Sequence, residues 1–218
     1  MIPLIRKDFL LTGWVHGAAL FFGLGMIPVG IEKPGAGLFM ALFLQLMYLH
    51  LLHSLTRPGL RNGAENLLLG TLPVRRQTIV HAKYAFYLGC VAVYSLYLSL
   101  ITCLTGLSGA LFPWPWSFWF MPALPLMLGI LYGALMIPAD YISPKWSGVL
   151  GMAFYLSLII LPQKLPRWLG TELDVKAALA AMANALKGAF LPALFAACLG
   201  LLLLSMITSR HFYNKSQF

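Results

Sequence analysis

The chain has 218 residues, of which 60% are hydrophobic and 10% charged, with a mean hydropathy of +0.83. A soluble domain carries about 45–50% apolar and about 25% charged residues, so a soluble fold and an intrinsically disordered chain are both excluded and an integral membrane protein is indicated. Fifteen Lys and Arg against six Asp and Glu give a formal charge of +9, which in so apolar a chain points to the cytoplasmic edge of a bilayer; no nucleic-acid partner is expected.

Six apolar segments predict transmembrane helices at about 14–31, 38–55, 84–107, 118–137, 146–161 and 190–208, none of them containing Asp, Glu, Lys or Arg. A transmembrane barrel would instead alternate polar and apolar residues. The expected fold class is an all-α integral membrane protein, one transmembrane domain over residues 1–218. Arg6 and Lys7 precede the first apolar run as in a signal peptide, but no A-x-A-like cleavage site follows, so an uncleaved first span is expected. With the N-terminus inside, the inner face holds Arg6, Lys7, Arg57, Arg61, Arg75, Arg76, Lys83, Lys145, Arg210 and Lys215. The outer face then holds Lys33, Lys164, Arg167, Lys176 and Lys187. This asymmetry favours cytoplasmic N- and C-termini.

In chain order, the second span carries His50 and His53, at i and i+3 on one helix face. One reading is ligation of a metal or haem, with His16 of the first span as partner; the other is hydrogen bonding between helices. The inner loop from Thr56 to Lys83 is long for a helix–helix connection and contains a short predicted helix, Ala64–Leu72, bounded by Gly63 and Pro73. The third span carries Tyr84, Tyr87, Tyr94, Ser95, Tyr97, Ser99 and Thr102, most within half the helix circumference. Such a stripe lines a path for an amphipathic substrate or bonds helices within a bundle; Tyr87, Tyr94, Ser95, Ser99 and Thr102 are the path candidates. The run Phe112–Phe120 is expected as an interfacial aromatic belt. Pro122 and Pro125 are expected to kink the fourth span, and Gly13/Gly17 and Gly129/Gly133 to permit close helix approach. The fifth span is short, boxed between Pro144 and Pro162. The outer loop 162–189 carries a helical stretch, Val175–Leu186, at the interface or re-entering the membrane.

Missing motifs narrow the function. All six acids, Asp8, Glu32, Glu65, Asp140, Glu172 and Asp174, are assigned to loops or tails, which leaves ion-coupled transport without an intramembrane carboxylate. There is no GxxxxGK[ST] phosphate cradle, GxSxG elbow or HExxH pair. The chain is expected not to be an enzyme, with no catalytic residue. Cys90, Cys103 and Cys198 lie in apolar runs without CxxC spacing and are expected as small buried residues, with no metal site.

The inner loop reads Gly63-Ala-Glu-Asn-Leu-Leu-Leu-Gly-Thr-Leu-Pro-Val-Arg-Arg-Gln-Thr-Ile-Val-His-Ala-Lys-Tyr84. It resembles the first cytoplasmic loop of permease subunits in the type-2 ABC exporter family: a Glu (Glu65), a short apolar helix (Leu67–Leu69), a Leu72-Pro73-Val74-Arg75 turn and an entry into the third span at Ile79–Tyr84. Leu4–Leu10 is similar to the family's opening interfacial helix, and Ser209–Phe218 to its ending. Gly70, where Ser or Ala is expected, and Arg76 beside Arg75 depart from the pattern. The resemblance implies a permease that pairs with a second permease subunit and couples to two copies of a separate ABC ATPase. That partner would bind the ATP and Mg; this chain would bind no cofactor. It also implies that Glu65, Asn66, Leu67, Leu68, Leu69, Leu72, Pro73, Val74, Arg75 and Arg76 form the ATPase-coupling segment. A membrane-surface helix held by Arg61, Arg75 and Arg76 on anionic lipid is the competing reading of that loop. A bacterial cell membrane, with the lipid bilayer as partner, is the implied location. The uncharged, Tyr-rich spans suit an amphipathic cargo such as a hydrophobic peptide, a lipid-like molecule or a drug. Two other classes remain open: a haem- or metal-binding membrane protein using His16, His50 and His53, and a non-transporting scaffold.

Overall fold

The computed structural model describes residues 2–25, 27, 34–56, 76–104, 116–169 and 190–215, and among them all regular structure is helical. Seven helices follow in order: α1 (Ile2–Leu11), α2 (Gly13–Leu24), α3 (Pro34–Thr56), α4 (Arg76–Leu104), α5 (Trp116–Ile142), α6 (Pro144–Leu169) and α7 (Phe190–Lys215). The stretches Gln77–Leu104, Pro122–Ile142 and Pro192–Tyr213 are each long and apolar enough to cross a membrane, while Gly13–Leu24 and Met40–Thr56 are shorter apolar helices. The inner-loop helix 64–72, the outer stretch 175–186 and residues 112–115 of the aromatic run lie outside the described residues.

The chain opens as a helix pair. Thr12 separates α1 from α2 and is fully buried. Its hydroxyl donates to the Asp8 carbonyl at 2.9 Å, while its own carbonyl accepts the N–H groups of Val15 and His16 at 2.9 and 3.2 Å. One residue thereby closes the last turn of α1 and opens α2, satisfying backbone groups that helix ends otherwise leave unpaired.

Several boundaries differ from the sequence reading. α4 begins at Arg76, eight residues before the expected start at 84, so residues 76–83 of the expected inner loop are helical. α5 runs on to Ile142, five residues past the expected end at 137, so Asp140 lies in a helix and is buried, not in a loop. Asp8 likewise lies in α1. α6 continues through Pro162 to Leu169, and α7 through Thr208 to Lys215. A helix interior proline removes one donor and crowds the preceding turn, yet α5 carries Pro122, Pro125 and Pro138 inside one continuous helix, as membrane-spanning helices tolerate. Ser143 separates α5 from α6, and Pro144 takes the first helical position, where its missing N–H forfeits no intrahelical bond.

α5 packs against α3, α4, α6 and α7, and α4 against α1, α2, α3, α5 and α7. The side-chain pairs fix the directions. The ends of α3, α5 and α7 meet the starts of α4 and α6 through His53–Ser147, Lys83–Asp140 and Tyr84–Ser205. α3, α5 and α7 thus run one way and α4 and α6 the other, which is the alternation that successive membrane crossings demand. The core where they meet is built from Leu46, Leu49, Leu52, Val91, Leu98, Tyr132, Met136 and Ile137, all under 2% exposed. The outer faces are equally apolar: Val93, Leu96 and Leu100 of α4 and Leu203, Leu204 and Ile207 of α7 are more than half exposed. A water-soluble protein does not present continuous apolar faces of this kind; a bilayer accepts them.

The two small-residue pairs behave differently. Gly129 and Gly133 lie where α5 meets α4: a Cβ on Gly129 would sit 2.5 Å from Val91 Cγ1, and one on Gly133 would enter the Tyr87 ring. With no hydrophobic drive between helices in lipid, such close approach is the main source of packing energy. Among the described residues, nothing lies within 4 Å of a Cβ added to Gly13 or Gly17, so this pair makes no close helix contact with them. Of the cysteines, Cys198 is buried as expected, but Cys90 is half-buried and Cys103 exposed, since the apolar run containing Cys103 turns part of its face outward.

Candidate functional site

The third-span stripe is the face by which α4 holds its neighbours. The Tyr87 hydroxyl donates to the Gly129 carbonyl of α5 at 3.0 Å, and Tyr94 donates to the Ala19 carbonyl of α2 at 3.5 Å. Tyr94 also stacks on Tyr48 of α3 with centroids 4.3 Å apart. Ser95 accepts from Gln45 Nε2 at 3.4 Å, and the same amide donates to the Pro125 carbonyl at 2.6 Å. Ser99 and Thr102 donate to carbonyls of their own helix, at Ser95 and Ser99. Tyr87, Tyr94, Ser95 and Thr102 are buried and Ser99 is half-buried. The structure therefore brings together Tyr87, Tyr94 and Ser95 as interhelical hydrogen-bonding groups. Of the coupling segment, residues 65–75 lie outside the described residues, and Arg76 is the first residue of α4.

At the starting end of α4, Tyr84 reaches α7, with its hydroxyl 2.6 Å from Ser205 Oγ and 2.9 Å from Ser209 Oγ. Arg210 donates to Gln77 Oε1 at 3.2 Å across the same pair of helices. Tyr84→Phe removes the group shared by two serines. It is expected to lower the stability of the folded chain by about 1 kcal/mol, within the range of interhelical hydrogen bonds in membranes. The midpoint of unfolding by SDS in mixed micelles measures it.

Beside this contact lies a group that the sequence did not disclose. The Asp140 side chain, 0% exposed, is 3.3 Å from His53 Nε2 through Oδ1 and 3.5 Å from Lys83 Nζ through Oδ2. Ser147 Oγ donates to Oδ1 at 2.5 Å and lies 3.4 Å from His53 Nε2. Lys83 Nζ also lies 5.7 Å from the Tyr141 ring centroid, a cation–π distance. Four helices contribute: α3, α4, α5 and α6. An isolated buried carboxylate would be prohibitively costly; a cation, an imidazole and a hydroxyl on its two oxygens make it tenable. One signal was available in the sequence: Lys83 and Asp140 both border apolar runs at the face assigned to the inside. This also corrects the statement that no carboxylate lies within a span, because Asp140 falls inside the apolar stretch Pro122–Ile142.

The three histidines are held apart. His16 lies between Thr12 Oγ1 and the Tyr48 hydroxyl, at 2.9 and 3.0 Å; His50 Nδ1 is 2.9 Å from the Tyr132 hydroxyl; His53 belongs to the Asp140 group. Among the described residues there is no group of three His, Cys, Asp or Glu able to hold a metal ion. A pocket of about 430 Å³ opens between α1, α2, α3 and α4, walled by Ile5, Phe9, Tyr48, Tyr94 and Tyr97, with His16 among its few polar groups.

These features define a helical membrane protein in which, among the described residues, polar side chains fasten helices to one another. The family model for ABC-2 family transporter proteins matches residues 3–214, nearly the whole chain, so the chain belongs to that family and is a membrane transport component. Membership of this family implies association with an ABC ATPase. No protein of curated function and no solved structure matches the chain.

Proposed function

We propose that this chain is the permease subunit of an ATP-driven exporter in a bacterial cell membrane, with hydrolysis carried out by two copies of a separate ATPase and the path formed with a second permease subunit. The family match over residues 3–214 carries the reading. In it the whole chain is one transmembrane domain of six spans, corresponding to α2–α7, with both ends cytoplasmic, as the distribution of Lys and Arg favours. The segment from Glu65 to Arg76 docks on the ATPase: Leu67–Leu69 and Leu72 fill an apolar groove, and Glu65 pairs with a cation or backbone donors across the interface. The cargo is amphipathic. A route along Tyr87, Tyr94 and Ser95 requires their interhelical bonds to be exchanged for cargo contacts in another state of the transporter, a population shift driven by the ATPase.

The test is a mild-detergent pull-down from cells expressing the native gene neighbourhood. A protein with a phosphate-cradle motif should co-purify and show vanadate-sensitive ATP hydrolysis. A chain recovered alone would refute the reading and favour the scaffold. Glu65→Ala should insert normally yet weaken ATPase capture about tenfold or more, since a hydrogen bond to a charged group is worth about 1.5–3 kcal/mol. Unchanged capture and transport would remove Glu65 from the docking surface.

A further inference from the structure

The segment 57–75 is tethered by the end of α3 and the start of α4. His53 lies in the last turn of α3, and Lys83 about two turns into α4. Both reach one carboxylate, that of Asp140, at 3.3 and 3.5 Å. The same carboxylate accepts from Ser147, in the first turn of α6. One buried group therefore clasps both stems of that segment to the corner between α5 and α6.

A buried ion pair adds little net stability over well-packed apolar side chains of equal volume. Its distinguishing property is directional: apolar surfaces slide over one another, whereas a carboxylate bonded on both oxygens holds its partners in register. We propose that Asp140 is the joint that passes displacement of the 57–75 stems to α5 and α6, a positioning residue for transport rather than a contact for cargo or ATPase. The proposal rests on the reading of Glu65–Arg76, within the connection between these stems, as the ATPase-docking segment.

The experiment uses the permease–ATPase complex in lipid nanodiscs. Ile142→Cys, at the exposed end of α5, is introduced with Cys90, Cys103 and Cys198 each changed to Ala. The rate of maleimide labelling at position 142 is then compared without nucleotide and with ATP and vanadate. In this background the two rates should differ. Adding Asp140→Asn should leave ATPase capture and hydrolysis within about twofold, while the nucleotide-dependent difference shrinks about tenfold. His53→Gln, a milder change, should shrink it in the same direction and provides the reading if the Asn variant fails to fold. Lowered thermal stability with an undiminished nucleotide response would show a structural role only and overturn the joint. A background complex in which nucleotide leaves labelling at 142 unchanged would overturn it as well. A chain that captures no ATPase at all overturns the docking reading and the joint with it.

Discussion

Lys83→Met is expected to destabilise the folded chain by about 3–5 kcal/mol, the cost of stranding one partner of a buried ion pair. Asp140 has no exposed side-chain surface, so water cannot replace the lost ammonium. His53 and Ser147 remain within reach of Oδ1, but Oδ2 loses the cation at 3.5 Å. The same physics predicts an asymmetry. Lys83→Met combined with Asp140→Leu removes both charges and should recover most of the loss, because an apolar pair of similar volume stands in for a buried ion pair at little or no cost. SDS titration in mixed micelles, followed by circular dichroism, measures all three chains. A double variant as unstable as Lys83→Met alone would mean that the lysine stem's packing, not its charge, sustains this corner. If the proposed joint is correct, that double variant regains stability without regaining nucleotide response.

Gly133→Val is expected to be the next most damaging change. A Cβ at Gly133 falls within the ring of Tyr87, whose hydroxyl is bonded to the Gly129 carbonyl one turn earlier on α5. The ring cannot move aside without releasing that bond, and Val91 crowds Gly129 on the same face. Overpacking of a close-fitted interface costs about 1–3 kcal/mol, to which the loss of the tyrosine bond adds. Gly17→Val, with nothing among the described residues within 4 Å of the new Cβ, carries the same change in helix propensity and serves as the control. Comparable loss of stability in both variants would assign the effect to the helix backbone rather than to the α4–α5 contact.

Much of this protein is decided by composition. A 60% hydrophobic chain with 10% charge has no stable arrangement in water, and helices satisfy their backbone internally in lipid, so the all-helical membrane fold follows from the residues alone. The short linear motifs in the inner loop and near the two ends resemble the same family whose model matches residues 3–214, because such motifs are contiguous in the chain and need no tertiary structure to be read. Gly129/Gly133 and Gly13/Gly17, by contrast, are identical patterns with opposite roles: only the approach of Tyr87 and Val91 distinguishes them. The stripe on α4 was ambiguous for a similar reason. Tyr, Ser and Thr serve a path or a packing contact equally well, and the partners they bond in this structure, the carbonyls of Gly129 and Ala19 and the amide of Gln45, lie 42, 75 and 50 residues away. Asp140 shows the limit most plainly. Hydropathy reads an acid as a break in a span, but its place depends on free energy supplied by His53, Lys83 and Ser147 from three other helices. Local sequence determines which segments are helical and apolar; which buried charge is tolerable, and which helices it binds together, is decided only when those segments assemble.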